Sequence, residues 1–264
     1  MRYKINQVKK ILNISEDTLR YFDNKKLIRS KRDSNNNYRY FSSDDINKIF
    51  AYKMYRGLLF HMKDAEELIS GKPVDNLEHM LQSQLQVIKK EQEYMEGAKR
   101  HIELLVEKIK QYQQFRGGFE IVTSPNCFFH GNQTDHYFRV EDETFNRSYK
   151  LLNSMPHIWP SFCYDPDKKD EDYQYSFGYG YYDEEEPPIN GLTYLPARKS
   201  LYTFFTMENS LADKVEEILA EAEKFCEENG YVTRGKVYGN LLHEMQEKDK
   251  LIRLCDIYIP IRDK

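Results

Sequence analysis

The sequence has few of the features that mark secreted or membrane proteins. Only 4 of its 264 residues are cysteine, and no apolar run approaches the roughly 18 residues that a membrane-spanning helix needs. The opening segment, MRYKINQVKK, lacks the apolar stretch of a signal peptide. We therefore expect a cytoplasmic protein that has no membrane partner.

The cysteines do not form a pattern that binds metal. Cys127, Cys163, Cys226 and Cys255 are isolated from one another, with neither a Cys-x-x-Cys pair nor a histidine at ligand spacing. Lone thiols in a cytoplasmic chain usually serve as small buried apolar side chains. The sequence predicts no metal site and no cofactor.

The charge of the chain is unevenly distributed. The formal net charge of −4 divides into +6 for residues 1–71, +1 for residues 72–117 and −11 for residues 118–264. A basic part on a chain that also has an acidic part predicts contact with a polyanion, unless the asymmetry arose by chance. The helix-stopping signals Ser70-Gly71-Lys72-Pro73 and Arg116-Gly117-Gly118 fall at the same boundaries. We predict three parts with these limits.

The middle part reads as one long helix. From Leu77 to Tyr112 there is no proline, and apolar residues recur at coiled-coil spacing. A helix of this length would extend about 54 Å, so we expect it to pair with its copy in a homodimer rather than fold back onto its own chain. Gln84 and Glu91 are polar residues at d positions of this heptad pattern and weaken that half of the interface; they either set its register or mark where the helix packs elsewhere. The complete a/d series is Leu81, Gln84, Ile88, Glu91, Met95, Ala98, Ile102, Leu105, Ile109 and Tyr112.

The basic part predicts a winged helix-turn-helix. Ile5, Val8, Ile11 and Leu12 form one face of a first helix, and Ser15 caps a second helix. A short second helix after a tight turn is the geometry that enters the DNA major groove. Residues 29–41 then form a basic hairpin that turns at residues 33–37, with Tyr38 pointing outward and Tyr40 inward. Ser42 and Asp45 cap a third helix.

These residues resemble the DNA-binding domain of the MerR family of transcriptional regulators over about residues 3–70. The segments that carry the resemblance are Arg20-Tyr21-Phe22-Asp23, Tyr38-Arg39-Tyr40-Phe41-Ser42, Asp44-Asp45-Ile46 and Met62-Lys63-Asp64-Ala65. Phe22 stands where the family usually has tyrosine, so a hydroxyl contact would be missing if this position faced a phosphate. Leu59 stands where glycine is common. The candidate DNA-binding residues are Arg20, Tyr21, Lys25, Tyr38, Arg39, Lys53 and Arg56.

The resemblance also implies partners. Family members dimerise through an antiparallel coiled coil, place two DNA-binding domains on pseudo-palindromic promoter double-stranded DNA, and act on RNA polymerase indirectly by distorting the promoter spacer. Metal-sensing relatives have a cysteine near the start of the long helix, whereas this chain has Asn76-Leu77-Glu78-His79. We therefore expect a regulator, most simply an activator, that does not sense metal.

Residues 118–264 predict an α+β domain. They hold 24 of the 37 aromatic residues, several of them in alternating runs typical of strands, and residues 209–229 have the spacing and the Asn209-Ser210 cap of a helix. Two strand-rich halves around Pro187-Pro188 predict a pseudo-duplication. The chain as a whole is thus expected to be a multidomain α+β protein.

This domain resembles GyrI-like effector-binding domains. The resemblance rests on the segments 163–167, 173–178, 194–204, Gly235-Lys236-Val237-Tyr238-Gly239-Asn240-Leu241-Leu242 and Asp256-Ile257-Tyr258-Ile259-Pro260-Ile261. It implies two strand-helix-strand-strand halves and a groove that binds a small aromatic, often cationic effector. Gly239 stands where such domains often have glutamate, which predicts a missing acidic contact, and Asp256 is shorter than the usual glutamate. A neutral ligand is therefore as well supported as a cation.

Aromatic faces attract cations, and a poorly hydrated carboxylate strengthens the attraction. Trp159, next to Pro160, is interpreted either as a pocket wall or as a movable lid. Two other functions stay open: hydrolysis of a small electrophile with Asp256 or Glu244 as general base, or a purely architectural DNA-binding protein. The candidate ligand-binding residues, each of which could instead be ordinary core, are Tyr149, Trp159, Tyr164, Tyr202, Tyr238, Asp256 and Tyr258.

Overall fold

A computed structural model describes residues 2–32, 38–71, 74–134, 137–166, 168, 175–182, 189–208, 211–247 and 249–264. The chain forms two compact units, Met1–Glu93 and Tyr94–Lys264. The predicted wing turn at residues 33–37, the Lys72-Pro73 helix stop, the Pro187-Pro188 loop and the Asn209-Ser210 cap lie outside the described residues. The three-part domain division remains a prediction.

The first unit is mainly helical, with a small antiparallel sheet in the order β1-β3-β2. Both predicted caps are confirmed. The Ser15 hydroxyl accepts from the Thr18 amide at 3.1 Å, and Ser42 forms a capping box with Asp45. The elements are β1 Tyr3–Lys4, α1 Ile5–Leu12, α2 Glu16–Asn24, β2 Lys31–Arg32, β3 Arg39–Phe41, α3 Ser43–Gly57 and α4 Met62–Ile69, followed by the long helix α5 Val74–Gln114.

Two aromatic positions in this unit differ from expectation. Phe22, which stands in place of the family tyrosine, is buried in the core, so its side chain does not face a phosphate. Tyr40 is only half-buried, and its neighbour Phe41 fills the core instead. Residues two apart on a strand share a face, so Tyr38 and Tyr40 could not point to opposite sides. Tyr38 is exposed, as predicted.

Leu59 adopts a backbone conformation that favours glycine. It follows the C-cap of α3 with φ of 65°, in the left-handed region, and its side chain is 61% exposed. A residue with a Cβ is strained there by about 1–2 kcal/mol, which explains why glycine is common at this position in the family that the sequence resembles. The leucine side chain gains little packing in return.

We therefore expect Leu59→Gly to stabilise the first unit by about 1 kcal/mol, since the strain relieved exceeds the entropy that glycine adds to the unfolded chain. Differential scanning calorimetry should show a rise in Tm of about 4 °C. Leu58→Gly is the matched control, because Leu58 has φ of −87° and is also exposed. It is expected to lower Tm, and an equal effect of both substitutions would contradict the argument.

The predicted long helix is confirmed as α5, and its 41 residues exceed the predicted span. Its a/d series divides between two environments. Several d positions pack within the same chain. The Gln84 amide is buried and donates to the Leu58 carbonyl of the first unit at 3.1 Å. Leu105 and Tyr112 pack in the core of the second unit. Gln84 thus fits the alternative that the helix packs elsewhere at this position, and the pairing of α5 with a second copy stays a prediction. Exposed apolar side chains remain at Leu81, Leu85, Met95, Ile102 and Val106.

The second unit is built on one sheet, with strands in the order β4-β9-β12-β11-β6-β7-β5-β8 and β10 paired to β12. Every described pairing is antiparallel. The elements are β4 Glu120–Thr123, β5 Cys127–Gln133, α6 Asp142–Leu152, β6 Ile158–Tyr164, β7 Tyr175–Tyr181, β8 Thr193–Leu195, β9 Lys199–Met207, α7 Leu211–Asn229, β10 Tyr231–Thr233, β11 Val237–Glu247 and β12 Lys250–Asp263.

Strand, helix, strand, strand occurs twice along the second unit, as β5-α6-β6-β7 and as β9-α7-β11-β12, with the short β10 added. The two sets meet where β6 pairs with β11. Alternate residues of β9 and β12 point to opposite sides of the sheet. Both sides are covered by other parts of the second unit. Leu201 and Ile257 pack with α7 on one face, whereas Tyr202 and Tyr258 pack on the face that Leu105 of α5 also contacts.

All four cysteines are buried and free, as predicted. Burial raises the pKa of Cys127, Cys163 and Cys255 to about 12, so these thiols stay protonated and unreactive. Across the described residues, no helix is both long and apolar enough to cross a membrane. The same residues contain no group of His, Cys, Asp and Glu side chains that could hold a metal ion.

Candidate functional site

The first unit presents the predicted basic residues on α2 and on the hairpin of β2 and β3. Arg20 is exposed on α2 and pairs with Glu16 one turn earlier, at 2.7 Å. Lys25 follows the same helix and lies over the Tyr21 ring, 5.8 Å from its centroid. Tyr38, which immediately precedes β3, is 68% exposed. Arg20, Lys25 and Tyr38 are thus accessible to a polyanion.

Tyr21 has a partner of its own within the first unit. Its hydroxyl donates to the Glu66 carboxylate of α4. This hydrogen bond is the main reason that the pKa of Tyr21 rises to about 12. A phosphate would meet Glu66 as well as the hydroxyl, so a phosphate contact by Tyr21 requires the hydroxyl to leave the carboxylate. In the folded unit the hydroxyl fixes α2 to α4.

The other predicted basic residues also make contacts within the fold. Arg39 on β3 pairs with Asp23 on α2 at 3.3 Å and so ties the hairpin to that helix. The Lys53 ammonium donates to the Leu12 carbonyl at the end of α1, at 2.6 Å, and Arg56 donates to the Phe60 carbonyl. Their contacts with DNA remain predictions, and each also has a structural role in these places.

The second unit contains a cavity of about 410 Å³ between the C-terminal part of α5 and the sheet. Its size is within the range of small-molecule sites. Three of the seven predicted ligand-binding residues line it directly. The lining residues are Leu104, Glu107, Lys108 and Gln111 from α5, with Glu120, Val122, Thr123, Pro125, Trp159, Tyr182, Tyr202, Asn240 and Tyr258 from the sheet and its connections.

Asp256 lies at the base of this cavity and is fully buried. Its Oδ1 accepts from the Asn240 backbone amide at 2.9 Å and from the Asn240 side-chain amide at 3.0 Å. Its Oδ2 accepts from the Tyr202 hydroxyl at 3.2 Å and from the Lys108 ammonium. A buried carboxylate needs such partners to be stable. The predicted buried carboxylate is therefore present but already fully engaged.

Lys108 of α5 supplies the counter-charge. Its ammonium pairs with Asp256 and donates to the hydroxyls of Tyr258 at 3.1 Å and Tyr202 at 3.4 Å. It also lies 5.2 Å and 5.4 Å from the ring centroids of Tyr202 and Tyr258. Burial lowers the pKa of Lys108, but the charge of Asp256 and the hydrogen bonds outweigh it, so this pKa lies above its ordinary value.

A polar network extends from Asp256 across the sheet. The Oδ1 atom of Asn240 accepts from the Ser161 hydroxyl at 2.8 Å and from the Tyr182 hydroxyl at 2.7 Å. Burial, helped by the negative charge of Asp256, raises the pKa of Tyr202, so it stays a neutral donor. The base of the cavity is thus a set of hydrogen-bonded groups whose positions are mutually fixed.

Trp159 forms a wall of the cavity. It lies inside strand β6, where it pairs with Gly180, and this placement favours the pocket wall over the movable lid. Its ring stacks on His101 of α5 with centroids 4.0 Å apart. His101 Nδ1 is held 2.8 Å from the Pro156 carbonyl oxygen. The aromatic wall is therefore positioned by both the sheet and the helix.

The remaining candidates lie elsewhere. Tyr149 is 62% exposed on α6. The Tyr164 ring packs against that of Tyr175, with the two ring centroids 4.7 Å apart. Neither Tyr149 nor Tyr164 lines the cavity. Tyr238 is buried beneath it and donates to the Pro125 carbonyl at 2.6 Å. The hydrolase alternative gains no support, because both oxygens of Asp256 are occupied and Glu244 pairs with Arg253 at 2.9 Å outside this cavity.

Sequence reasoning missed Lys108, Asn240 and Tyr182. A usable signal existed for Lys108, since it lies three residues after Leu105 and four before Tyr112 and so shares their face of the helix. Lysine within an apolar helix face indicates either a solvated rim or a buried partner. The sequence contained no comparable signal for Asn240, whose role depends on the pairing of β11 with β12.

Comparisons with known proteins bear on the N-terminal part. Residues 3–72 match the model of the MerR HTH family regulatory protein. The predicted resemblance of this part of the chain is thereby confirmed, while the GyrI-like nature of the second unit remains a prediction. No curated protein matches the chain by sequence.

Three solved structures resemble the chain at low similarity. A cryo-EM structure of an EcmrR–DNA complex in EcmrR-RPo has 14% identity and a TM-score of 0.39, covering 99% of this chain and 100% of that one. A MerR-family transcriptional regulator from Bacillus cereus has 17% identity and a TM-score of 0.38, and the match covers 45% of this chain and 88% of that one. The EcmrR C-terminal domain has 10% identity and a TM-score of 0.39, and the match covers 57% of this chain and 100% of that one.

Proposed function

We propose that this chain, whose residues 3–72 match the MerR HTH family model, is a DNA-binding transcriptional regulator that responds to a small-molecule effector. The family match carries the DNA-binding part of the proposal. The exposed basic residues Arg20 and Lys25 on α2, with Tyr38 at the hairpin, support it because they are accessible to phosphates and base edges. The target is pseudo-palindromic promoter double-stranded DNA.

The active form in this proposal is a homodimer. Leu81, Leu85, Met95, Ile102 and Val106 remain exposed along α5 within the described chain. Three of them, Leu81, Met95 and Ile102, lie at heptad-related positions, which is the spacing that a partner helix covers. Such a dimer would place two DNA-binding units on one promoter and act on RNA polymerase indirectly, through the DNA.

The effector site in this proposal is the cavity beside Trp159. Lys108 and His101 contribute to its surroundings from α5, the helix whose earlier residues belong to the first unit. A ligand that changes the contacts of these two side chains therefore acts on the helix itself. Linkage then requires the ligand either to alter DNA affinity or to favour one of two DNA-bound conformations.

DNA affinity is expected to depend steeply on salt. If a dimer makes about eight phosphate contacts, the logarithm of the association constant should fall against the logarithm of salt concentration with a slope of about −7. Fluorescence anisotropy of a labelled mixed-sequence duplex of about 40 base pairs measures this sequence-independent part of the affinity. A flat salt profile would remove the DNA-binding proposal.

Arg39→Ala is expected to weaken binding to every duplex tested and to reduce the slope by about 1 for each phosphate that residue 39 no longer neutralises. Arg39→Lys is the matched control, because it keeps the charge but removes the planar guanidinium that pairs with Asp23. If the lysine variant keeps the wild-type slope, the charge of residue 39 acts directly on DNA. If both variants bind more weakly by the same factor with an unchanged slope, Arg39 acts only by holding the hairpin to α2.

A further inference from the structure

The charge balance inside the effector cavity is unusual for a site that would bind an organic cation. Asp256 is the one fully buried carboxylate at its base among the described residues, and the Lys108 ammonium already neutralises it. The two carboxylates on the cavity lining, Glu107 and Glu120, are exposed to solvent, where water and salt weaken their attraction for a ligand. The remaining polar groups there are neutral hydroxyls and amides.

Lys108 occupies the position that a cationic ligand would need. Its ammonium lies near the rings of Tyr202 and Tyr258, and its three donors are directed to their two hydroxyls and to Asp256. An arriving cation would either meet this like charge in a poorly hydrated cavity or have to displace it. Displacement is unfavourable because Lys108 is tethered to the same fold and competes at a high effective concentration.

A neutral aromatic ligand meets neither obstacle. It can lie against Trp159 and the apolar part of the wall formed by Leu104 and Val122 while the ion pair beneath it stays intact. The Tyr182 hydroxyl, which donates its proton to Asn240, can accept a hydrogen bond from a polar group on such a ligand. Lys108 itself lines the cavity, and its side chain is 16% exposed.

We propose that Lys108 determines the charge class of the effector: as the built-in counter-ion of Asp256, it selects neutral aromatic molecules and excludes organic cations. This inference rests on the proposed effector site and specifies its ligand chemistry. It also places the residue that discriminates between ligands on α5, so the selecting group and the helix that links the two units are the same element.

The test uses two probes of nearly equal shape. One is 3-tert-butylphenol, which is neutral, and the other is (3-hydroxyphenyl)trimethylammonium, in which a charged nitrogen replaces the central carbon. Trp159 is the single tryptophan of the chain and lines the cavity, so its fluorescence reports binding to this site directly. Isothermal titration calorimetry provides the dissociation constants independently of fluorescence.

The full-length wild-type protein is expected to bind the neutral probe at least about tenfold more tightly than the cation. In Lys108→Met, which keeps the side-chain length but removes the charge, the affinity for the cation should rise at least about tenfold, making it the preferred probe. In Lys108→Met/Asp256→Asn that rise should disappear, because no buried carboxylate remains to attract the cation.

Equal or tighter binding of the cation by the wild type overturns the inference, and this result does not depend on whether any variant folds. Unchanged selectivity in a folded Lys108→Met protein also overturns it, as does failure of both probes to bind any of the three proteins. The salt-dependent binding of DNA is measured on the same samples. Absence of DNA binding together with the expected probe selectivity would refute the regulator and leave the assignment of Lys108 intact.

Discussion

Lys108→Met is expected to lower the free energy of unfolding of the second unit by about 3–5 kcal/mol. The substitution leaves the Asp256 carboxylate fully buried without its counter-charge. Methionine fills nearly the same volume, so the decrease reports charge rather than a cavity. Urea unfolding followed by the fluorescence of Trp159 measures it, because this tryptophan lies in the same unit.

The matched control is a double-mutant cycle. Asp256→Asn keeps the acceptor for Asn240 and removes the charge, so Lys108→Met/Asp256→Asn is expected to recover at least about half of the stability that Lys108→Met alone removes. Additive effects of the two substitutions would show that the side chains are not coupled. That outcome would contradict the ion pair as the cause.

The coupling is also expected to depend on pH in a defined direction. The pKa of Lys108 is raised above its ordinary value of 10.5 in the folded chain. Its contribution to stability is therefore complete below the unfolded pKa and is lost as the pH rises through the folded pKa. The difference in the free energy of unfolding between wild type and Lys108→Met should be constant from about pH 7 to pH 10 and should shrink above pH 10. A difference that grows above pH 10 would contradict the assignment.

Gly239→Ala is expected to destabilise the second unit by about 3 kcal/mol or more. A Cβ at this position would lie 2.0 Å from the Asp256 carbonyl oxygen and 2.6 Å from Cζ of the Phe162 ring. The first of these atoms belongs to the backbone of β12, so the strand itself would have to move. Because Asn240 and Asp256 are adjacent to this contact, ligand binding in the cavity should weaken as well.

Gly57→Ala is the control for that substitution. Gly57 ends helix α3, and a Cβ there would meet nothing within 4 Å. Alanine is favoured over glycine in a helix, so Gly57→Ala should be neutral or stabilising by less than about 1 kcal/mol. Urea unfolding at neutral pH compares the two variants with wild type, and an unchanged unfolding midpoint for Gly239→Ala would show that β11 has room for a side chain.

Gly239 also shows a steric constraint that the resemblance alone does not reveal. It stands where GyrI-like domains often have glutamate, and that difference alone predicts a missing acidic contact. In the structure the position has no space for any side chain, since β12 and Phe162 approach it closely. The neutral base of the cavity has a different cause, which is the ion pair between Asp256 and Lys108.

Local features of the fold followed well from the sequence. The caps at Ser15 and Ser42, the long helix α5 and the alternating strands of the second unit depend on short-range patterns that a single sequence displays. The resemblance of residues 3–72 to the MerR family was identifiable for the same reason, because the residues that carry it are spaced along one short segment. Tyr40 was the exception, because alternation along a strand places it on the same face as Tyr38.

The candidate ligand site was only partly predictable. The resemblance to GyrI-like domains, together with the aromatic composition, pointed to an aromatic cavity and to Trp159, Tyr202, Tyr258 and Asp256, which the structure brings together. Composition could not separate them from Tyr149 and Tyr164, because each aromatic residue has the same local signal whether it lines a cavity or packs elsewhere. Only the sheet order decides which face of which strand is enclosed.

The sequence by itself determined the helix-turn-helix, the helix that follows it and the aromatic, acidic character of the rest, since these depend on local spacing and composition. The tertiary structure alone decided that Lys108 meets Asp256, 148 positions apart in the chain. No local pattern encodes such a contact, because it arises from the packing of α5 against one face of a sheet. That contact gives the cavity its charge.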